Sequence, residues 1–202
     1  MKIANFKEHE IKRTCQQRFD DPRKYKDYLR VDFHGRCCYC NMSEDLITTS
    51  FHVEHFIPRK VFKGKKDSLD VDYNNLMWSC PKCNLSKGDK YEGDFENNSK
   101  IENDLFYNPV DIDYNDIFYR NEMGSIMSDD PKGKEMIKLL KLYRPIHNLG
   151  WLCEKMENVL ELMEAKIGAE RDLDRKEALR SLRGEIALIC VEKMKLFRIM
   201  YK

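Results

Sequence analysis

The sequence predicts an α+β protein in which a small mixed core precedes a β-hairpin region and a C-terminal helical subdomain. Two cysteine pairs, Cys37-x-x-Cys40 and Cys80-x-x-Cys83, bracket a segment with short strand-like runs. Beyond residue 131, apolar residues recur at spacings of three and four, the period of an amphipathic helix. We expect four regions: a polar extension at 1–21, the cysteine-bracketed domain at 22–91, an acidic linker with a β-hairpin at 92–130, and the helical subdomain at 131–202.

Composition indicates a globular chain without membrane segments. Its 202 residues are 42% hydrophobic, which suits one medium domain with an appended subdomain. No apolar run reaches the length of a membrane span, and the N-terminus lacks the hydrophobic stretch of a signal peptide. We therefore expect a cytoplasmic location. In that setting the eight cysteines favour metal binding over a disulfide framework.

The formal net charge of +1 hides strong local segregation of charge. Residues 11–36 and residues 56–90 each carry eight Lys or Arg against four acids, whereas residues 92–116 carry eight acids against one lysine. The basic blocks flank the cysteine motif, which favours a phosphate-bearing partner there. The alternative is an ordinary solvated surface.

The order of predicted elements places the cysteine motif among short strands and helices. Asp21 and Pro22 can start a helix. β-Branched content predicts a strand leading into His52, and the lysine-rich stretch after Pro58 is typical of a loop or frayed helix. The expected elements are a helix at 22–31, a strand at 46–51, the lysine-rich stretch at 60–66, a turn at 72–75, a strand at 76–78 and a helix from 84 to 90.

The acidic region after Tyr91 is expected to hold short strands. The runs 105–107, 117–119 and 125–127 are strand-like, and residues 121–124 form the expected hairpin turn. From Pro131 onward the apolar stripes predict helices. Such stripes are typical of core or of helix surfaces that meet a partner, so we assign no cofactor to them.

The two cysteine pairs predict one tetrahedral metal site. Thiolates separated by two residues can wrap a single ion, and four thiolates suit a structural Zn²⁺ that stabilises the fold without catalysing. Cys37, Cys40, Cys80 and Cys83 are the expected ligands. Cys38 lies between two of them and is the residue best placed to substitute for one.

The segment between the cysteine pairs carries groups suited to phosphodiester hydrolysis. That reaction needs a base that activates water and an electrophile that stabilises charge on the phosphate. We expect His55 to accept the proton from water and Glu54 to hold a divalent cation, with the amide oxygen of Asn84 on the same ion. Oxygen ligands favour Mg²⁺ or Mn²⁺.

Further residues are expected to support this site. Asn75 would hydrogen-bond either the backbone or the His55 ring and so orient the base, with Asn74 as the fallback. His52 is either an extra ligand of the cation or a partly exposed histidine without that role. The lysines and arginines that would grip backbone phosphates are Arg59, Lys60, Lys63, Lys87 and Lys90, with Lys87 the best single candidate.

These motifs together resemble the HNH endonuclease family. The order is Cys-x-x-Cys, Glu-His-Phe-Ile-Pro, Asn-Leu, then Cys-x-x-Cys-Asn-x-x-Lys, over roughly residues 22–90. The resemblance implies a ββα-metal fold, with His55 as general base, Asn75 as the central motif asparagine, Glu54 and Asn84 as ligands of the catalytic metal, and the four cysteines on zinc. The sequence departs from the family in having Asn84 at the position of the eponymous histidine and Glu54 where aspartate or histidine is common.

Two later segments carry a further resemblance. Residues 105–109 and 133–145 are similar to the tails of bacterial HNH proteins from Septu-type and retron-linked anti-phage systems. That resemblance implies an ABC-like ATPase partner, for which the C-terminal helices would be a docking surface.

Three functional hypotheses follow. The leading one is a metal-dependent nuclease that cuts DNA in an anti-phage system. The second is a zinc-stabilised module that binds nucleic acid or protein without turnover, and the third is a nuclease of the same kind acting on RNA such as tRNA.

Overall fold

The computed structural model describes residues 2–201 and confirms the α+β class. The chain divides into two compact units, residues 1–144 and residues 145–202. Its strands are β1 (Ala4–Asn5), β2 (His52–His55), β3 (Leu76–Ser79), β4 (Tyr119–Arg120) and β5 (Ile126–Met127). Its helices are α1 (Lys26–Asp32), α2 (Arg59–Phe62), α3 (Pro81–Lys87), α4 (Tyr114–Ile117), α5 (Pro131–Leu139), α6 (Pro145–Ala169) and α7 (Leu173–Tyr201).

The segment between the cysteine pairs forms a ββα unit. β2 and β3 pair antiparallel, with His52 opposite Ser79 and His55 opposite Leu76. α3 follows β3 directly because Cys80 caps it: its sulfur accepts the Cys83 N–H at 3.4 Å, and Pro81 stands in the first turn. Gly88 then takes φ +50°, which ends the helix. The helix predicted from residue 84 to 90 therefore begins three residues earlier and ends at Lys87.

The strand predicted at residues 46–51 is wrong. Leu46 lies in a short 3₁₀ turn, Glu44–Leu46, and the strand starts at His52. The register explains the difference, because His52 already faces the last residue of β3, Ser79, beyond which the chain turns into α3. Phe51 is buried against Trp78, with ring centroids 5.8 Å apart, so its apolar character reflects packing.

The second sheet joins the two ends of the 1–144 unit. Its strand order is β1-β4-β5, with Ala4 paired to Arg120 and Arg120 to Ile126. This confirms the hairpin turn at 121–124, but residues 105–107 form no strand and Ile117 ends α4. The Tyr114 hydroxyl donates to the Tyr107 carbonyl at 2.7 Å, so residues 105–107 pack as a loop on that short helix.

The other predicted elements near the cysteine motif are confirmed. Pro22–Tyr25 is a 3₁₀ turn capped by Asp21 that continues into α1, and the turn before β3 is Tyr73–Asn75, capped by Asp72. A small apolar cluster lies beneath the loop after β2, formed by Ile57, Phe62, Leu69 and Phe95. Packing in this cluster holds the loop that follows His55 in place.

The C-terminal unit consists of α6 and α7, joined by residues 170–172. Such a short connection makes the two helices antiparallel. Within residues 2–201, every helix is too short or too polar to cross a membrane.

Candidate active site and metal-binding cluster

The four predicted cysteine ligands converge on one point. The sulfur atoms of Cys37, Cys40, Cys80 and Cys83 lie within 4.8 Å of one another, and all four residues are buried. The sulfurs of Cys40 and Cys80 are 3.8 Å apart. A tetrahedral ion with metal–sulfur bonds of about 2.3 Å requires sulfur–sulfur distances of about 3.8 Å. The cluster is therefore positioned to bind a metal ion.

Backbone hydrogen bonds shape the first cysteine turn. The Asn41 N–H donates to the Cys37 carbonyl at 2.9 Å, and Asn41 takes φ +59°, a conformation that asparagine tolerates better than most residues. The Cys38 N–H donates to the Trp78 carbonyl at 2.8 Å, which fastens this turn to β3. Cys38 is buried, but its sulfur is not one of the four that converge.

His55 ends β2 with its imidazole held by Asp70. Its Nε2 lies 3.0 Å from the Asp70 carbonyl oxygen and 3.1 Å from Oδ1 of the same residue. Because a carbonyl oxygen can only accept, Nε2 carries a proton and Nδ1 keeps the lone pair in the neutral ring. Burial lowers the pKa of His55 below its usual value, and Arg59 adds to this while Asp70 opposes it. The neutral form, which can act as a base, is thereby favoured.

Asp70 is a site residue that the sequence reasoning missed. Its carboxylate is paired with Arg59, whose Nη2 lies 3.1 Å from Oδ2. Arg59, predicted to contact phosphate, therefore also holds the residue that orients His55. The available signal was an acidic residue shortly before Asn75, but Asp67, Asp70 and Asp72 all lie within eight residues of it.

Asn75 is fully buried and bonds backbone atoms, one of its two predicted alternatives. Its Oδ1 accepts the Ile57 N–H at 2.8 Å, and its Nδ2 donates to the carbonyls of Ile57 and Leu69 at 3.2 and 3.1 Å. The side chain thus ties the loop after His55 to the residue just before Asp70. It fixes both sides of the His55–Asp70 contact without a bond to the ring.

Glu54 lies in the interior, where both carboxylate oxygens have partners. Oε1 is 2.6 Å from the Lys87 ammonium, and Oε2 accepts the Tyr39 hydroxyl at 2.9 Å. Glu54 is 4% exposed and Lys87 is 0% exposed. Burial, reinforced by Glu54, raises the pKa of Tyr39 well above its usual value, so the hydroxyl stays protonated and donates.

Lys87, which the sequence predicts to grip backbone phosphate, lies in the interior with protein partners. Its ammonium is enclosed, and besides Glu54 it donates to the His55 carbonyl at 2.9 Å. Lys87 lies in the last turn of α3 and reaches across to β2. Lys87 thus connects α3 to two adjacent residues of β2, the Glu54 carboxylate and the His55 backbone.

Asn84 lies against His52, with its side-chain amide 2.9 Å from His52 Nδ1. His52 and Glu54 share one face of β2, since strand side chains alternate, and α3 packs on that face. The structure therefore pairs Asn84 with His52 and Glu54 with Lys87. The role of Glu54 and Asn84 as joint metal ligands stays a prediction, and His52 lies against Asn84 on the strand face that also carries Glu54.

The remaining predicted phosphate contacts are on the surface. Lys60, Lys63 and Lys90 are exposed. Lys60 pairs with Asp89 at 3.4 Å, and the Lys90 ammonium donates to the Ser86 carbonyl at 2.7 Å. Exposed pairs of this kind are weak enough to be exchanged for a phosphate.

Comparison with known proteins relates part of the chain to one family. The family model described as HNH endonuclease matches residues 37–90, the stretch that runs from the first cysteine to the end of the ββα unit. No solved structure matches the chain.

Two curated relatives are both called Septu protein PtuB. The protein from Bacillus mycoides (strain KBAB4) is 28% identical over 139 residues, which cover 59% of this chain and 46% of that protein. The protein from Bacillus thuringiensis is 31% identical over 67 residues, which cover 31% of this chain and 24% of that protein. The chain thus spans less than half the length of either relative. Residues 37–90 of this protein thus match the HNH endonuclease family, and the chain is weakly similar to Septu PtuB proteins.

Proposed function

We propose that this protein is a metal-dependent HNH endonuclease that hydrolyses phosphodiester bonds of DNA as the nuclease effector of an anti-phage system. The observation that carries the proposal is the His55 imidazole, held through Nε2 by Asp70 within a segment that also contains the four-cysteine cluster and matches the HNH family. A module that only binds has no need of an oriented, neutral imidazole at that point.

In the proposed reaction His55 is the general base. Nδ1 accepts a proton from water as the water attacks phosphorus, and the Nε2–H keeps its bond to the Asp70 carbonyl throughout. The imidazolium that forms is stabilised by the Asp70 carboxylate, 3.1 Å from Nε2. Asn75 bonds the backbone on both sides of this contact and so holds His55 and Asp70 in their relative positions.

The oxygen donors for a catalytic Mg²⁺ or Mn²⁺ are those of Glu54 and Asn84, with His52 as the neighbouring nitrogen donor. These donor types fit such an ion, which when bound would stabilise charge on the scissile phosphate. The Lys87 ammonium already neutralises Glu54. We propose that Lys87 withdraws from Oε1 when a divalent cation binds.

Two further sets of residues complete the proposal. The four cysteines would hold a structural Zn²⁺, which fits the donor chemistry and the 3.8 Å sulfur spacing. Lys60, Lys63, Lys90 and the exposed side of Arg59 would contact the DNA backbone without reading bases.

The role in defence rests on the relatives. Both are named as Septu proteins, and the region of similarity to the first extends well beyond the HNH segment, over 59% of the chain. We propose that the protein works in the cytoplasm beside an ABC-like ATPase, as the resemblance of its later segments implies.

One observation favours the binding-module alternative. The acid expected to hold the catalytic ion is buried and already paired, which is how a structural carboxylate behaves. The first prediction below decides between the two.

The first prediction concerns His55. The chain, alone or with its co-purified ATPase, nicks supercoiled plasmid in Mg²⁺ or Mn²⁺ and not in EDTA. His55→Ala lowers the rate about 10²-fold to 10⁴-fold because the general base is lost. His34→Asn, at a histidine outside the HNH segment, keeps the wild-type rate. Equal cleavage by wild type and His55→Ala contradicts the proposal, and cleavage confined to a total-RNA arm assigns the target to RNA.

The second prediction concerns zinc. Purified protein contains about one Zn²⁺ per chain by elemental analysis. Cys80→Ser loses most of the metal and unfolds the ββα unit, because the cluster joins its two ends. Cys38→Ser, at a buried cysteine in the same turn, retains it. Equal zinc loss in the two variants shows that the four-sulfur assignment is incorrect.

The third prediction concerns the buried Lys87–Glu54 pair. Lys87→Met lowers the free energy of unfolding by about 3–5 kcal/mol because it leaves Glu54 buried without its partner. Lys90→Met, at the exposed neighbour, changes it by less than about 0.5 kcal/mol. Adding Glu54→Gln to Lys87→Met recovers much of the loss, because the Gln oxygen still accepts from Tyr39. Urea denaturation measures all three.

Repeating the urea denaturation with Mn²⁺ tests whether Glu54 can bind the cation. If Lys87 occupies the position of the cation, Mn²⁺ stabilises Lys87→Met more than wild type, since Glu54 is then free to bind it. Equal stabilisation of the two proteins contradicts the role given to Glu54.

A further inference from the structure

The C-terminal unit is a two-helix hairpin with one apolar side left open. α6 and α7 pack through a buried seam whose members include Cys153 and Cys190, and burial raises the pKa of Cys153 to about 11, with a smaller contribution from Cys190. Further along the hairpin, Arg183 pairs with Glu164 at 2.8 Å. These two contacts set the antiparallel register of the helices.

Each helix carries a second apolar ridge beside the seam. Successive residues of an α-helix are about 100° apart around the helix axis. Measured around its own axis, the ridge of each helix therefore lies about 90° from the buried seam, and the direction of this rotation is the same for α6 and α7. Because the helices run antiparallel, that shared sense brings the ridges to the same side of the hairpin. We call this side the hairpin face; it consists of Leu152, Met156, Val159 and Met163 on α6 and Leu182, Ile189 and Leu196 on α7.

The hairpin face is substantially open to solvent. Leu152, Val159, Leu182, Ile189 and Leu196 are each between 38% and 48% exposed. Scattered apolar residues on a surface are ordinary, but an aligned double ridge along two helices is the surface that a helical bundle buries.

The charges along the edges of the hairpin face indicate what covers it. The outer edge of α6 carries Lys155 and Lys166, whereas the outer edge of α7 carries Glu185 and Glu192. The face is therefore basic along one side and acidic along the other. A two-fold rotation about an axis parallel to the helices brings the basic edge of one copy against the acidic edge of another. Such a surface is therefore complementary to itself.

We propose that the hairpin face binds a second copy of this chain, forming a four-helix bundle in which α6 of one copy lies opposite α7 of the other. In this arrangement Lys155 lies beside Glu192 of the second copy. Placing α6 against α6 instead would bring the two basic edges together, which costs free energy. The proposal goes beyond the nuclease function and does not depend on it, but it does give each assembly two HNH domains.

The oligomeric state of the full-length chain tests the proposal. Light scattering after size exclusion gives twice the 24.2 kDa chain mass for wild type. Ile189→Glu places a charge in the hairpin face and gives the single-chain mass. Val191→Glu changes a residue that is similarly exposed, at 52%, on the opposite side of α7 and stays dimeric. Circular dichroism confirms that both variants remain helical.

Three results overturn the proposal: a monomeric wild type, an Ile189→Glu variant that stays dimeric, or a folded Val191→Glu variant that dissociates. A monomeric wild type would leave the face to a different protein, such as the proposed ATPase.

Charge reversal tests the orientation of the two copies. Lys155→Glu raises the dissociation constant of the dimer roughly tenfold, since two-fold symmetry repeats the edge contact. Adding Glu192→Lys restores wild-type association. A double variant that remains as weak as Lys155→Glu excludes α6 opposite α7.

Discussion

The HNH segment depends on the convergence of four cysteines from two positions far apart in the chain. Cys37 and Cys40 lie at the start of the segment, and Cys80 and Cys83 lie where β3 is followed by α3. Everything between them, including β2 and the loop after it, is a closed loop once an ion joins the two pairs. β2 and β3 are only four residues each, too short to be stable alone, so closure by such an ion would stabilise the ββα unit.

Buried polar contacts connect the cysteine cluster to the candidate base, His55. Cys80 fixes the start of α3, and Lys87 in its last turn clamps Glu54 and the His55 backbone. From the other side Asn75 ties the loop after His55 to the residue before Asp70. The imidazole is thus held by groups that the cysteine cluster and the apolar cluster beneath the loop keep in place. Such support determines whether a base is positioned well enough to act.

The sequence predicted the part of the site that depends on spacing. Cysteines separated by two residues must converge if they share an ion, and the four sulfurs do converge; the roles of His55 and Glu54 stay predictions. The contact between Glu54 and Lys87 could not be predicted from the sequence, because it depends on which face of β2 packs against α3. The strand predicted at residues 46–51 failed for a related reason: β-branched content indicates a preference, but the end of β3 at Ser79 sets the length of the pairing. Asp70 was missed because Asp67 and Asp72 lie close to it in the chain and only the three-dimensional arrangement selects one of the three.

X-ray absorption at the zinc edge of the purified 202-residue chain tests most directly whether the four cysteines share one ion. The account predicts four sulfur neighbours at about 2.3 Å and no nitrogen or oxygen neighbour. A shell that contains nitrogen or oxygen, or fewer than four sulfurs, would contradict the claim that these cysteines hold the HNH segment together.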